Sequence, residues 1–336
     1  MERKLASIVV IDHIAPIPGA DMIEVATVKG WKLVIKKQEY QPGDLAIYCE
    51  IDAFLPVIPA FEFLRKSSYR KMGETEGFRL KTIKFRGQIS QGLLLPISML
   101  PDTSSLQPGE DVAAQLGIIK YEAPIPAALA GMMKGGFPSF IPKTDEERIQ
   151  NLSDQYATYN GEPCYVTEKL DGSSVTYYHR DGEFGVCSRN LELLETADNT
   201  LWKVARQLDI ATKLAATGKN LALQGEMIGE GIQGNPYDLR GQTIRFYNVF
   251  DIDRSEYFTM AAFIALMQEL GLQHVPILNE AFQLPNTIDE LLLLAEGASV
   301  LSPAHRKAER EGLVIRSADR RISFKVISNK FLLQEA

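Results

Sequence analysis

Glu168-Lys169-Leu170-Asp171-Gly172-Ser173-Ser174 is the stretch on which the reading of this chain turns. It is entered from the apolar run Cys164-Tyr165-Val166, which places the lysine at the end of a strand and Asp-Gly in the turn after it. A glycine at that turn lets the backbone come close to whatever is bound beside it. A lysine two residues ahead of Asp-Gly suits an amine that attacks a nucleotide phosphate and then carries the nucleotide covalently. The amine must be neutral to react, and cations packed around it would lower its proton affinity. The same residues also make an ordinary surface hairpin, so this stretch alone does not decide the matter.

Further segments follow in order. Ser188-Arg189-Asn190 offers an arginine to a phosphate or a ribose. Leu223-Gln224-Gly225-Glu226 ends an apolar strand on a carboxylate. Phe246-Tyr247-Asn248-Val249-Phe250-Asp251-Ile252 is a strand with aromatics placed to stack on a base. Glu311-Gly312-Leu313-Val314-Ile315-Arg316 and Phe324-Lys325-Val326-Ile327 complete the series. Taken singly, most of these read equally well as turns or exposed strand positions. As an ordered set, covering residues 140–333, they resemble the signature of the covalent nucleotidyltransferases: DNA ligases, RNA ligases and mRNA capping enzymes.

That resemblance implies roles. Lys169 is the nucleophile that becomes lysyl–AMP, and Lys325 is the second catalytic residue, contacting the α-phosphate. Arg189 contacts a phosphate or the ribose, and Ser174 lies in the nucleotide pocket. Phe246 stacks on adenine, and Glu168 helps set the base pocket through its backbone. Glu226 binds the ribose hydroxyls, Glu311 helps organise a divalent metal (Mg2+ or Mn2+), and both are metal-ligand candidates. Many ligases carry a second lysine two positions after the last motif's lysine. Here that position is Ile327, and Lys330 is the next lysine along.

Residues 1–120 read as many short strands with Gly/Pro turns, which suggests a small barrel. Pro16-Ile17-Pro18-Gly19-Ala20-Asp21-Met22-Ile23-Glu24-Val25 resembles the opening of the OB-type tRNA-binding modules of some aminoacyl-tRNA synthetases. Phe85-Arg86-Gly87-Gln88-Ile89-Ser90-Gln91-Gly92-Leu93-Leu94 is similar to a second segment of that module. Lys81, Lys84 and Arg86 would then offer cations to a nucleic-acid backbone; a solvated strand face reads equally well. Residues 121–143, including Pro124, Pro126, Gly135, Gly136 and Pro138, read as a linker. Lys143–Leu152 reads as a helical lead-in, with Thr144 and Glu147 at capping-box spacing.

The expected fold class is α+β: an OB-like N-terminal β-barrel (1–120), then a nucleotidyltransferase (ATP-grasp-like ligase) domain of antiparallel sheets and helices (144–336). Within it, helices are expected at 199–216, 259–270 and 287–295. The arrangement resembles the RNA ligases with an N-terminal OB domain. No dedicated nicotinamide-binding segment precedes Lys169, which makes ATP the expected donor. The expected activity is ATP-dependent sealing of 5′-phosphate/3′-hydroxyl breaks in RNA, or in a nicked duplex with an RNA 3′-hydroxyl end. A DNA ligase, a GTP-dependent capping-type enzyme and an RNA-binding module with a degenerate catalytic domain are the alternatives. The net charge of −7 implies modest, salt-sensitive affinity for nucleic acid, with cations concentrated on one face. Cys49, Cys164 and Cys187 have no metal-type spacing, and no signal peptide or membrane span is legible, so a reduced, intracellular and monomeric protein is expected.

Overall fold

The computed structural model describes residues 3–122 and 131–334. They divide into two compact units. The first holds residues 3–122, Gln150–Asp154 and 332–334; the second holds 131–149 and Gln155–Phe331.

The first unit is built from short antiparallel strands. Ala6–Val10, Leu45–Cys49 and Leu93–Pro96 form one sheet, and His13–Pro16, Ile23–Val28 and Trp31–Lys36 a second. Alternation dictates which side is buried. In Trp31-Lys32-Leu33-Val34-Ile35-Lys36 the odd residues point inward, where Trp31 and Leu33 join Val28, Tyr48 and Ala26 in one core. Each such side chain contributes about 1.5–3 kcal/mol of burial. A second core gathers Ile8, Ile47, Leu55, Phe61 and Phe78. Thr82–Phe85 and Gln88–Gln91 make a two-residue hairpin whose corner, Arg86-Gly87, has both φ angles positive. Lys84 and Arg86 are exposed there, and Arg86 Nη1 donates to the Gly19 carbonyl at 2.7 Å.

The second unit contains two antiparallel sheets. The larger has seven strands in the order Met133–Gly136, Leu191–Leu193, Glu183–Cys187, Ser173–Arg180, Leu221–Gly229, Gln242–Asp251 and Glu256–Tyr257. The smaller has four, in the order Ile277–Phe282, Cys164–Lys169, Gly312–Ser317 and Ser323–Ile327. Helices cover the larger sheet through a core of Val175, Tyr177, Leu223, Phe246, Trp202, Phe263 and Met267.

Two helices follow the sequence signals closely. Thr259 caps Met260–Leu270, and Gly271 closes it at φ 61°. Thr287 and Glu290 form a reciprocal capping box at the start of Ile288–Ala295. The helix expected over 199–216 is instead two, Thr200–Gln207 and Ile210–Ala216, separated at Asp209, whose φ is 52°.

The helical lead-in at 143–152 is not formed. Residues 142–147 carry no regular secondary structure, and only Ile149–Leu152 makes a turn of 3₁₀ helix. Thr144 and Glu147 therefore cap nothing. Glu146 accepts from Arg316 at 2.6 Å and from Ser323 at 2.7 Å, and the Glu147 carbonyl accepts from the Lys325 N–H at 2.8 Å. These tertiary contacts outweigh the local helix signal. Within the stretch read as a linker, Met133–Gly136 is an edge strand paired with Leu191–Leu193, while Pro124 and Pro126 lie outside the described residues.

Candidate active site

The motif turn joins the two sheets. Lys169 is the last residue of its strand in the four-stranded sheet; after Leu170-Asp171-Gly172 the chain enters the seven-stranded sheet at Ser173. The Asp171 N–H donates to the Tyr237 hydroxyl at 2.7 Å and holds the corner. Gly172 is required by space. A Cβ there would lie 2.5 Å from the Met227 carbonyl oxygen and 2.8 Å from Glu226 Cγ. Gly312 is equally confined, since its Cβ would meet the Val326 carbonyl oxygen at 2.1 Å.

Lys169 Nζ lies 2.7 Å from Glu311 Oε1. Glu311 immediately precedes Gly312, which pairs with Lys169 across the small sheet. Glu226 comes from the large sheet, where it pairs with Ser174 on one neighbouring strand. Burial pulls the Lys169 amine down, but Glu311 and Glu226 outweigh it and hold the amine above the ordinary lysine value. This corrects the expectation of a lysine made neutral by surrounding cations: its nearest charged partner is a carboxylate. Glu226 is pushed up to about 8 by burial, with Lys169 and Arg189 opposing and Glu311 and Asp171 adding to the rise.

Lys325 is held differently. Its Nζ sits 3.1 Å from Asp145 Oδ1. Burial lowers it to about 8, aided by Arg148 and Lys169 and opposed by Asp145. Arg189 reaches the other oxygen of the same carboxylate, Nη2 to Oδ2 at 3.6 Å. The structure thus gathers Lys169, Glu226, Glu311, Lys325, Arg189 and Ser174 around one place.

Phe246 is not among them. Its ring is fully buried in the helix-covered core, against Tyr177 at 6.4 Å between centroids. The cause is a shift of register. Gln224 pairs with Asn248 but Gly225 pairs with Phe246, leaving Tyr247 as an extra residue in its strand. Such a bulge re-aims the side chain it carries. Tyr247 is within hydrogen-bonding reach of Thr144 and Ser174 and feels the charges of Glu226 and Lys169. Strand alternation cannot show a bulge, although the adjacent Phe-Tyr pair offers two aromatic choices.

Glu168 points its side chain elsewhere, which leaves the backbone role expected of it untouched. Its side chain is buried and accepts from the Val300 N–H at 3.0 Å, while its own N–H donates to the Pro276 carbonyl at 2.9 Å. It ties down the loop before Glu311. Lys330 is engaged by Glu296 at 2.8 Å. Asp145, Thr144 and Tyr247 were missed because an isolated acid, threonine or second aromatic carries no motif.

Residues 162–330 match the RNA ligase family model, and residues 5–97 match the model of an OB-fold domain. The chain belongs to the RNA ligase family. The solved structures it resembles include the apo form of a Naegleria gruberi RNA ligase variant at 42% identity and a TM-score of 0.92, covering 100% of this chain and 99% of that one. A lysine-to-methionine variant of the Naegleria gruberi RNA ligase with AMP and Mn matches at 43% identity and TM-score 0.92, covering 99% of each chain. The Naegleria gruberi RNA ligase with PPi matches at 44% and 0.90, covering 98% of each. No match is found among curated proteins. The chain is an RNA ligase with an N-terminal OB-fold domain and a mixed α+β catalytic part. Among the described residues no helix is long and apolar enough to cross a membrane.

Proposed function

We propose that this RNA ligase uses ATP and a divalent metal to join a 5′-phosphate to a 3′-hydroxyl, with Lys169 as the covalent carrier of AMP. The Lys169–Glu311–Glu226 constellation carries the reading: an amine at a sheet-to-sheet turn, set against two carboxylates. Solved relatives holding AMP or ATP with Mn support the donor and the metal.

The donor set fits a hard divalent cation. Mg2+ and Mn2+ take oxygen ligands, and Mg2+ is commonly held by one or two carboxylates plus substrate phosphates. Glu311 and Glu226 are the residues that would hold it. When bound, the ion supplies positive charge beside the α-phosphate and lowers the proton affinity of Lys169.

The chain's own groups do the rest. Lys169 Nζ must shed a proton, and Glu311 Oε1 is the acceptor within 2.7 Å. The freed nitrogen attacks the α-phosphorus; the N–P bond forms and the bond to pyrophosphate breaks. Lys325 and Arg189 balance charge on the phosphates, and Tyr247 takes the base-facing role first expected of Phe246. An oxygen of the RNA 5′-phosphate then displaces Lys169 from AMP. Finally the 3′-hydroxyl attacks that 5′-phosphate and AMP leaves. A nicked duplex with an RNA 3′ end is the proposed substrate, gripped through Lys81, Lys84 and Arg86 of the OB domain, with the chain acting as a monomer inside the cell.

The test is covalent labelling. Protein incubated with α-labelled ATP and Mg2+ or Mn2+ retains label through denaturation, and Lys169→Ala retains none. Labelling of the alanine variant would refute the assignment. Labelling by GTP rather than ATP would refute the donor.

A further inference from the structure

Asp145 does one thing that the sequence motifs do not describe. Its carboxylate is shared by the two cations assigned to ATP phosphates, Lys325 Nζ at 3.1 Å and Arg189 Nη2 at 3.6 Å. These cations come from different sheets: Lys325 from the four-stranded sheet, Arg189 from the turn after Glu183–Cys187 of the seven-stranded one. Asp145 is held by its neighbours on a segment without regular secondary structure. Glu146 is fixed by Arg316 and Ser323, and the Glu147 carbonyl by the Lys325 N–H. Thr144 is set against Ser174 at 3.4 Å. The carboxylate is about half exposed, at 46%, so it can swing out when another anion arrives.

We propose that Asp145 is an internal stand-in for the α-phosphate of ATP: a positioning residue that holds Lys325 and Arg189 together before the nucleotide binds and is displaced when it does. The proposal rests on the reading of Lys325 and Arg189 as phosphate contacts. Its physical content is a competition. Lys325 is crowded by the cations Arg148 and Lys169, so an anion shared with Arg189 keeps both side chains in place. The same anion must be moved before a phosphate can take its position. Asp145 therefore sets the cost of ATP entry and of AMP release without touching the reacting atoms.

The measurement is the rate of lysyl–AMP formation by the full-length protein as a function of ATP concentration. Asp145→Asn keeps the size of the side chain and removes its charge. The half-saturating ATP concentration is expected to fall by about two- to fivefold, the range of a partly exposed ion pair, while the maximal rate stays level or drops. A purely structural role would not lower it. An unchanged or raised half-saturation in Asp145→Asn, with a melting temperature equal to wild type, overturns the proposal. If Asp145→Asn melts early, Asp145→Ser is measured in its place and held to the same criterion. Lys325→Ala separates the two layers of argument. If it abolishes labelling while Asp145→Asn fails to tighten ATP, the stand-in is wrong and the function stands. If it labels normally, both are wrong.

Discussion

The site contains two partly buried lysines whose surroundings push them in opposite directions. Lys169 lies against Glu311 and Glu226 and holds its proton more tightly than a free lysine. Lys325 is pulled down to about 8 by burial and by the cations Arg148 and Lys169, with Asp145 alone opposing. One end of the site is rich in negative charge and the other in positive. Lys169, proposed as the nucleophile, starts as an ammonium and must be released, while Lys325, proposed to bind phosphate, starts close to losing the charge it needs. The division of labour comes from the neighbours, since the residue is the same at both ends.

Lys325→Ala puts that division at greatest risk. It is expected to slow adenylylation about 100-fold or more, because a charge-assisted contact is lost where charge develops. Lys330→Ala should change little, given that Glu296 already engages Lys330. Equal losses measured by labelling would mean that Lys330 reaches the nucleotide after all.

The next test separates the two aromatics. Tyr247→Ala should raise the half-saturating ATP concentration by about tenfold, as expected for loss of a ring contact and a hydroxyl. Phe246→Ala should instead cost stability, about 3–5 kcal/mol for a buried phenylalanine, with the labelling of the surviving folded protein intact. Thermal melts and ATP titrations on both variants decide it.

A smaller effect is expected from pH. Lys325 must be charged to hold a phosphate, and its folded value near 8 means that charge is lost as pH rises through about 8. The rate at low ATP, which reports the free enzyme, should therefore fall on the alkaline side of that value. Lys325→Arg should push the fall to higher pH. An alkaline limb that does not move would show that some other group sets it.

The smallest effect lies outside this pair of lysines. Lys84 and Arg86 are exposed on the OB-domain hairpin. Replacing Lys81, Lys84 and Arg86 together by Ala should leave adenylylation unchanged. Sealing of a nicked duplex should fall by about threefold at low salt, with a shallower dependence on salt than in the wild type. Equal damage to both steps would mean that these cations also serve ATP.

The residues carried by the ordered motif segments were the ones the sequence announced, although Glu226, expected at a strand end, lies within Leu221–Gly229. Lys169, Glu226, Glu311 and Lys325 were picked out by the resemblance of their ordered segments to the covalent nucleotidyltransferases, and the structure brings them together. The helices expected at 259–270 and 287–295 were legible too, because their start and stop signals are local. What escaped depends on tertiary geometry. A bulge between Gln224 and Gly225 exchanged Phe246 for Tyr247. The segment at 142–147 gave up its helix signal for contacts with Arg316, Ser323 and Lys325.

Gly172 makes a last point about how such a site can change. Its backbone is one that alanine adopts freely, yet a single methyl there would press on the Met227 carbonyl and on Glu226 Cγ. The glycine is thus a spacer for the carboxylate, and positions 172 and 226 behave as one heritable character. A lineage that enlarges the first must relocate the second, and with it the negative charge that faces the nucleophile. Drift at a residue with no functional group of its own is therefore constrained by the chemistry of its neighbour.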